Sequence, residues 1–187
     1  YLPWVTDKRS LVKNFKLRLD LSYMLCELNH YGQWVDNNKT DLFTTQLRAM
    51  SGQVEAGSFG VQVEYFPLKT DEFTRDDFSP YISLGGQVSK FSSKVSSSLG
   101  PLGIPATTPV KYMNAYRTDT GVVASISGSL GTRFEISEFG SFFVDYKAQL
   151  YFSDWVDGLN PNRTIYTENK STDWMSTLTL GYIYYFD

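Results

Sequence analysis

The chain has very few of the side chains that hold metals, form disulfides or act as catalytic bases. Its 187 residues include one cysteine, Cys26, and one histidine, His30. A single cysteine cannot form an internal disulfide, and no Cys or His spacing in the sequence is typical of a zinc site. The sequence therefore predicts neither a metal nor a cofactor.

Acid–base and nucleophilic catalysis also lack their usual residue pairs. His30 is followed by Tyr31-Gly32-Gln33, with no serine at a His-x-Ser spacing, whereas hydrolases rely on a histidine beside a serine or a carboxylate. The Asp76-Asp77 pair has no obvious acid–base partner in a different environment. We expect a protein that is not an enzyme.

Long apolar runs and a strong charge imbalance are missing too. No run approaches the roughly 20 apolar residues that a helix needs to cross a bilayer. Net charge is −3, which does not indicate a nucleic-acid surface. With 42% apolar and 16% aromatic residues, the chain has ample material for one folded domain over residues 1–187. The sequence opens at Tyr1 in a mixed segment rather than in a signal peptide, so we expect the numbering to start after processing or trimming.

Alternation of apolar and polar residues is the strongest pattern that is present. It places Phe15, Leu17, Leu19, Leu21, Tyr23 and Leu25 on one parity. A helix would scatter these side chains around its circumference, whereas a strand places them all on one face. The same alternation predicts seven strands, at residues 14–25, 42–50, 57–67, 80–90, 121–134, 141–153 and 176–186.

No helix-period segment separates these strands, so the pattern predicts an antiparallel meander. Single-chain bacterial barrels have even strand numbers. We therefore expect an eighth strand before residue 14, although residues 1–13 alternate poorly and much of that strand is expected to be missing. The predicted fold class is all-β: an antiparallel up-and-down transmembrane β-barrel of about eight strands.

The composition of the two faces favours a membrane barrel with a polar interior. The polar face is rich in small residues and carries both charge signs, which suits a narrow lumen. In that lumen we expect Lys16, Arg18, Arg48 and Arg133 to pair with Asp20, Glu64, Glu135 and Asp145. Aromatic residues concentrate near strand ends, as in the girdles at membrane interfaces. Alternation alone also suits a soluble barrel with an apolar core.

The C-terminus carries a spaced aromatic motif, Thr179-x-Gly181-x-x-Tyr184-x-Phe186. It resembles the terminal β-signal by which outer-membrane barrels are recognised for insertion, and Thr179, Gly181, Tyr184 and Phe186 are the predicted insertion signal. The alternative is an ordinary aromatic strand that happens to finish the chain.

If the last strand ends in the periplasm, sidedness alternates backwards along the chain. Residues 154–175 and 91–120 become long external loops, and residues 135–140 become a tight periplasmic turn. Two long connections, 26–41 and 68–79, then fall on the periplasmic side, where turns are normally short. The second is charged, and its predicted contacts with a periplasmic partner are Lys69, Asp71, Glu72, Arg75, Asp76 and Asp77. The alternative is a hydrated loop that contacts nothing.

Strand order, loop lengths and closing motif resemble the small bacterial outer-membrane barrel superfamily over essentially the whole chain. Within it, Glu64-Tyr65-Phe66-Pro67, Phe78-Ser79-Pro80-Tyr81 and Gly85-Gly86 resemble the central hairpin of the PorG-type barrels of the type IX secretion system. Asp154-Trp155 and Asp173-Trp174 are similar to the tail of that family. The resemblance implies a membrane anchor that holds a periplasmic protein or lipoprotein of a secretion complex.

We therefore expect a non-enzymatic barrel in the bacterial outer membrane, embedded in lipid and acting as an anchor or assembly component in protein transport. A second hypothesis is a surface-binding, adhesin-like barrel acting through its long external loops. A third is a soluble lipocalin-like barrel that binds a small apolar ligand.

Overall fold

The described residues form a six-stranded antiparallel meander that curls into a half-barrel. The computed structural model describes residues 14–68, 78–137, 139–167, 169 and 172–184. Its strands are β1 (Phe15–Asn29), β2 (Met50–Tyr65), β3 (Ser79–Ser97), β4 (Asp119–Ser137), β5 (Gly140–Tyr151) and β6 (Trp174–Tyr184). Each strand pairs with the next one in sequence, so the all-β, antiparallel prediction is confirmed.

Six of the seven predicted strands are present, and β1 to β4 are longer than their patterns. β1 runs four residues past the predicted end, and β2 begins at Met50 rather than at residue 57. The predicted eighth strand, before residue 14, lies outside the described residues. Within the described residues, β1 and β6 each pair with one neighbour only, so their other edges face the open side of the half-barrel.

The predicted strand at residues 42–50 is wrong, because Leu42–Ala49 forms the helix α1. The Asp41 side chain accepts a hydrogen bond from the Thr44 backbone N–H at 3.0 Å, which caps the first turn. Gln46 donates to the carbonyl oxygen of Pro105 at 2.7 Å and ties α1 to the 98–118 connection. The alternation of this segment also fits a strand. The capping bond of Asp41 and the tertiary bond of Gln46 stabilise the helix instead. Two short 3-10 helices, Gln33–Val35 and Val110–Tyr112, lie in the connections that precede β2 and β4.

The connections divide between two ends of the sheet. Residues 30–49, 98–118 and 152–173 connect strands at one end, which we call the loop end. Residues 66–78 and 138–139 connect strands at the other, which we call the turn end. Placing residues 26–41 on the same side as residues 68–79 is therefore wrong, because loss of the 42–50 strand moves this connection to the opposite end. The tight turn predicted at residues 135–140 is confirmed.

The sheet has a polar inner face and an apolar outer face, whereas soluble sheet proteins bury the apolar face and expose the polar one. Glu64 and Gln62 point inward and are 1% exposed, while Leu21 on the convex face is 85% exposed. The convex face carries most of the large exposed apolar side chains, among them Leu17, Leu19, Val63, Leu84, Leu130, Leu178 and Leu180. The predicted orientation, with apolar side chains outward and charges enclosed, is thus observed. No helix in the described part of the chain is long and apolar enough to cross a membrane.

Candidate functional site

A buried carboxylate on β2 organises the turn-end half of the interior. Glu64 accepts a hydrogen bond from the Arg18 guanidinium at 3.0 Å and forms a second ion pair with Arg133. Inward parity on β1, β2 and β4 points the three side chains into the same interior, and the curl of the sheet brings Arg133 of β4 to Glu64 across β3. Charges removed from water need such partners, so Glu64 and its two arginines act as one unit.

A second buried carboxylate, Asp145 on β5, closes the same unit from the other side. Asp145 Oδ2 accepts hydrogen bonds from the Tyr81 hydroxyl at 2.5 Å and from the Ser129 hydroxyl at 3.0 Å. The Arg18 guanidinium lies 3.5 Å from the same oxygen. Arg18 therefore bridges two carboxylates that belong to opposite walls of the half-barrel.

A layer of amides, hydroxyls and one further ion pair extends these contacts. The Gln62 side-chain oxygen accepts from Arg18 at 2.6 Å and from the Ser83 hydroxyl at 2.9 Å. Lys147 on β5 lies 3.7 Å from Asp20 on β1, a second link between the two sides. We call the side chains that make these contacts the interior network: Arg18, Asp20, Gln62, Glu64, Tyr81, Ser83, Ser129, Arg133, Asp145 and Lys147.

Aromatic rings close the turn end of the interior network. Phe66 is buried, and its ring lies 5.4 Å from the ring of Tyr81. The guanidinium of Arg133 lies 4.9 Å from the Phe66 ring and 5.2 Å from the Tyr81 ring, within the range of a cation–π contact. The Nζ atom of Lys16 lies 4.6 Å from the centroid of the same Phe66 ring. The apolar ring of Phe66 thus packs against the charged groups of Arg133 and Lys16.

The predicted ion pairs are confirmed for Arg18, Arg133, Glu64 and Asp145 and wrong for Arg48. Arg18, Glu64 and Arg133 meet as the parity of their strands predicts. Arg48 lies on α1 instead and donates to backbone carbonyls of the 33–40 segment, because the segment around it is helical. Glu135 makes no ion pair within the described residues. Lys147 was visible in the sequence as a polar-face residue, but its pairing with Asp20 depends on how far the sheet curls.

The convex face has aromatic pairs near its turn end. Ring centroids lie 4.9 Å apart in Phe15–Tyr65, 5.5 Å apart in Phe78–Phe134 and 5.5 Å apart in Phe142–Tyr182. Together these pairs form an aromatic belt across β1 to β6. At the opposite end of the apolar zone, Tyr23 donates its hydroxyl to the carboxylate of Glu55 at 2.7 Å, and outward residues beyond it on β2 and β3 are polar.

The closing motif lies on the edge strand β6, apart from Phe186, which is outside the described residues. Tyr184 is on the convex face, Thr179 and Gly181 are on the inner face. Gly181 pairs with Phe143, and a Cβ at this glycine would overlap the Phe143 ring. A glycine is therefore required here by close approach of an aromatic side chain. Use of the motif as an insertion signal stays a prediction.

The six predicted partner contacts, Lys69, Asp71, Glu72, Arg75, Asp76 and Asp77, lie outside the described residues. The strand ends on either side of them, Tyr65 of β2 and Ser79 of β3, lie at the turn end.

The sequence did not indicate a cavity at the loop end of the interior. Met24, Met50 and Met175 line it, together with Asp157 and Asp173 of the 152–173 connection and its boundary with β6. The methionines come from three strands that are distant in sequence, so only the inward parity of each strand carried a signal.

Searches against protein-family models, curated proteins and solved structures gave no match for this chain.

Proposed function

We propose that the chain is a non-enzymatic β-barrel of the bacterial outer membrane, serving as a membrane anchor or assembly component of a protein secretion machine of the type IX kind. The observation that carries the proposal is the reversed distribution of side chains. Charged groups fill the interior, and the convex face is a continuous apolar surface. A water-soluble barrel has the opposite arrangement.

The energetic argument concerns the convex face. Soluble monomers rarely expose contiguous apolar patches larger than a few hundred Å², and burial of apolar surface contributes about 25 cal/mol per Å². The outward leucines and aromatic rings of six strands exceed such a patch, so lipid is the solvent that stabilises them. Soluble lipocalin-like folding, the third hypothesis above, would leave this whole face in water.

The height of the apolar face fits a bilayer. From Phe15 to Leu25, β1 advances about 33 Å along its own direction at about 3.3 Å per residue. Strands in outer-membrane barrels tilt by about 40°, so this length spans about 25 Å, the height of their apolar band. The aromatic belt lies at one boundary, and the Tyr23–Glu55 hydrogen bond lies at the other, as expected for the two interfaces.

Closure into a barrel of about eight strands follows from the same proposal. Unpaired N–H and C=O groups of β1 and β6 cannot face lipid, since each such group costs several kcal/mol there. Two further strands between these edges would satisfy them. Contacts such as Arg18–Asp145 and Lys147–Asp20 already cross between the two sides, which supports a lumen filled by side chains rather than an open pore.

The partner side is proposed to be the turn end. Three residues of the PorG-like motifs, Glu64, Phe66 and Tyr81, meet there around Arg133. The connection between β2 and β3 leaves from this rigid base. A base of this kind suits a projecting contact with a periplasmic protein or lipoprotein, as the family resemblance implies.

Membrane insertion is tested by fractionating cells and comparing unheated with heated samples on a gel. We expect the protein in the outer-membrane fraction, soluble only with detergent, and migrating faster when unheated. A protein that is freely soluble and shows no heat-dependent shift contradicts the membrane proposal.

Partner binding is tested separately, with the charged residues Asp71, Glu72, Arg75, Asp76 and Asp77 replaced by Ser or Asn. Crosslinked complexes are purified from envelopes and their members identified. Loss of one defined periplasmic partner, with the folded gel form retained, supports the anchor role. A matched variant replaces charges at the loop end, Lys111, Arg117 and Asp119, and is expected to retain the partner. Retention by both variants contradicts the proposal.

A second candidate is surface binding through the loop end, and one observation favours it. The 98–118 and 152–173 connections are joined by hydrogen bonds from Arg117 N to Gly158 O at 2.8 Å and from Asn160 N to Ala115 O at 2.9 Å. Together with α1 they form an ordered cap. If the loop-end variant loses binding to a surface ligand while the turn-end variant keeps it, this second function replaces the first.

A further inference from the structure

The loop end of the interior contains a cavity of 460 Å³ that the interior network does not use. This volume lies in the range of small-molecule sites, which are mostly apolar and contain a few convergent polar groups. Inward-facing side chains from β1, β2, β5 and β6 and one side chain of the 152–173 connection form its apolar walls. They include Met24, Met50, Val54, Tyr151, Val156 and Met175.

Two half-buried carboxylates, Asp157 and Asp173, stand at the rim of this cavity. Asp173 Oδ2 accepts hydrogen bonds from the backbone N–H of Val156 at 2.8 Å and of Asp157 at 3.2 Å. Asp157 Oδ1 accepts from the backbone N–H of Leu159 at 2.8 Å. One oxygen of each carboxylate is thus held by the loop, and both side chains are fixed in place.

Neither carboxylate has a cation of its own among the described residues. Arg163 is the cation that acts on Asp173, but its guanidinium forms an ion pair with Asp154. Burial and the negative charge of Asp173 raise the pKa of Asp157 to about 7, and burial also raises the pKa of Asp173. Buried charges are normally paired, so two neighbouring carboxylates above an apolar cavity favour a positively charged partner.

We propose that this cavity binds a small organic cation, a molecule with an apolar body and one protonated amine. Its body would pack against the three methionines, whose flexible thioethers adapt to irregular shapes. Its ammonium would lie beside Asp157 and Asp173, where charge-assisted hydrogen bonds form. The cavity walls named above and both carboxylates belong to the described residues.

Other classes of ligand fit less well. An anion would face two carboxylates, and a neutral molecule would leave their charges uncompensated. A calcium ion takes six to eight oxygen ligands, whereas the described residues contain no group of three or more His, Cys, Asp or Glu suited to a metal. Charge complementarity therefore selects the amine.

The test compares three probes of similar size: 2-phenylethylamine, 2-phenylethanol and 3-phenylpropionate. Binding to the full chain is measured by titration calorimetry at about pH 8, above the pKa of about 7 of Asp157. We expect saturable binding of the amine at least about tenfold tighter than that of the alcohol, and no binding of the carboxylate. Equal binding of amine and alcohol, or no saturable binding of the amine, overturns the proposal.

Variants locate the site. Asp157→Asn with Asp173→Asn retains the oxygen acceptors for the loop hydrogen bonds but removes both charges, and is expected to reduce amine affinity to that of the alcohol. Each single variant is measured too, so that poor folding of the double variant leaves a result. Asp119→Asn, a carboxylate on the same end outside the cavity, is the control and should bind the amine normally. Unchanged amine affinity in Asp157→Asn and Asp173→Asn also overturns the proposal.

Discussion

Replacement of Leu84 by arginine distinguishes a lipid-facing surface from a water-facing one. Leu84 is on the convex face of β3, 69% exposed, and lies between Ile82 and Val88 in the middle of the apolar stretch of that strand. An arginine near the bilayer midplane of an outer-membrane barrel costs about 2–4 kcal/mol. On the surface of a soluble protein, an exposed leucine replaced by arginine changes stability by about 0.5 kcal/mol or less.

Val122→Arg is a matched control, because Val122 is as exposed as Leu84 but would lie at a different depth in the bilayer. It is 70% exposed on the convex face of β4 and pairs with Lys90, where outward residues become polar. At this boundary an arginine costs about 0–1 kcal/mol. In lipid we therefore expect the two variants to differ by about 1–4 kcal/mol.

The assay is reversible urea unfolding in lipid vesicles, followed by tryptophan fluorescence and by the heat-dependent gel shift. Leu84→Ala is measured alongside, to separate loss of apolar contact from introduction of charge. If Leu84→Arg and Val122→Arg both remain within about 0.5 kcal/mol of the unmodified protein, the convex face is not in lipid and the argument from side-chain orientation is refuted.

Three further predictions concern the interior and the loops. Glu64→Gln removes the buried carboxylate that the guanidinium groups of Arg18 and Arg133 share, and should cost about 3 kcal/mol in unfolding free energy. No measurable cost contradicts the described network. Gly181→Ala forces a Cβ into the Phe143 ring and should cost about 1–3 kcal/mol, whereas Gly57→Ala, with open space around its Cβ, should be near neutral; equal effects refute the close approach. The raised pKa of Asp157, about 7 in the folded protein, means that the folded state binds this proton more tightly than the unfolded state. Its contribution to stability is thus lost as pH rises from about 4 to about 7, and Asp157→Asn should gain about 2 kcal/mol over the unmodified protein between about pH 5 and pH 8; a gain that does not depend on pH contradicts the raised pKa.

Strand alternation was sufficient to predict the antiparallel sheet and the composition of its two faces. In β1 the pattern from Phe15 to Leu25 is continuous, and the structure keeps every residue on its predicted face. Parity also predicted that Arg18, Arg133, Glu64 and Asp145 face the interior, where they form ion pairs.

The errors come from interactions that alternation does not contain. Leu42–Ala49 alternates like a strand, yet the Asp41 cap and the Gln46–Pro105 hydrogen bond make it a helix. That one error reversed the end to which residues 26–41 were assigned. The loop-end cavity was equally invisible, since its methionines and aspartates meet only when the 152–173 connection folds over the strands. The curl of the sheet, which pairs Lys147 with Asp20, depends on all six strands at once.

The orientation of β3 in a bilayer is the most direct test of the central claim. Cys26→Ser removes the single cysteine, and single cysteines at positions 82 to 89 then carry a spin label in protein reconstituted into lipid vesicles. Collision with oxygen, which concentrates in lipid, and with a water-soluble nickel chelate reports the environment of each position. The account predicts a period of two: even positions exposed to oxygen and shielded from nickel, odd positions shielded from oxygen. Even positions as accessible to the nickel chelate as exposed loop residues would contradict it.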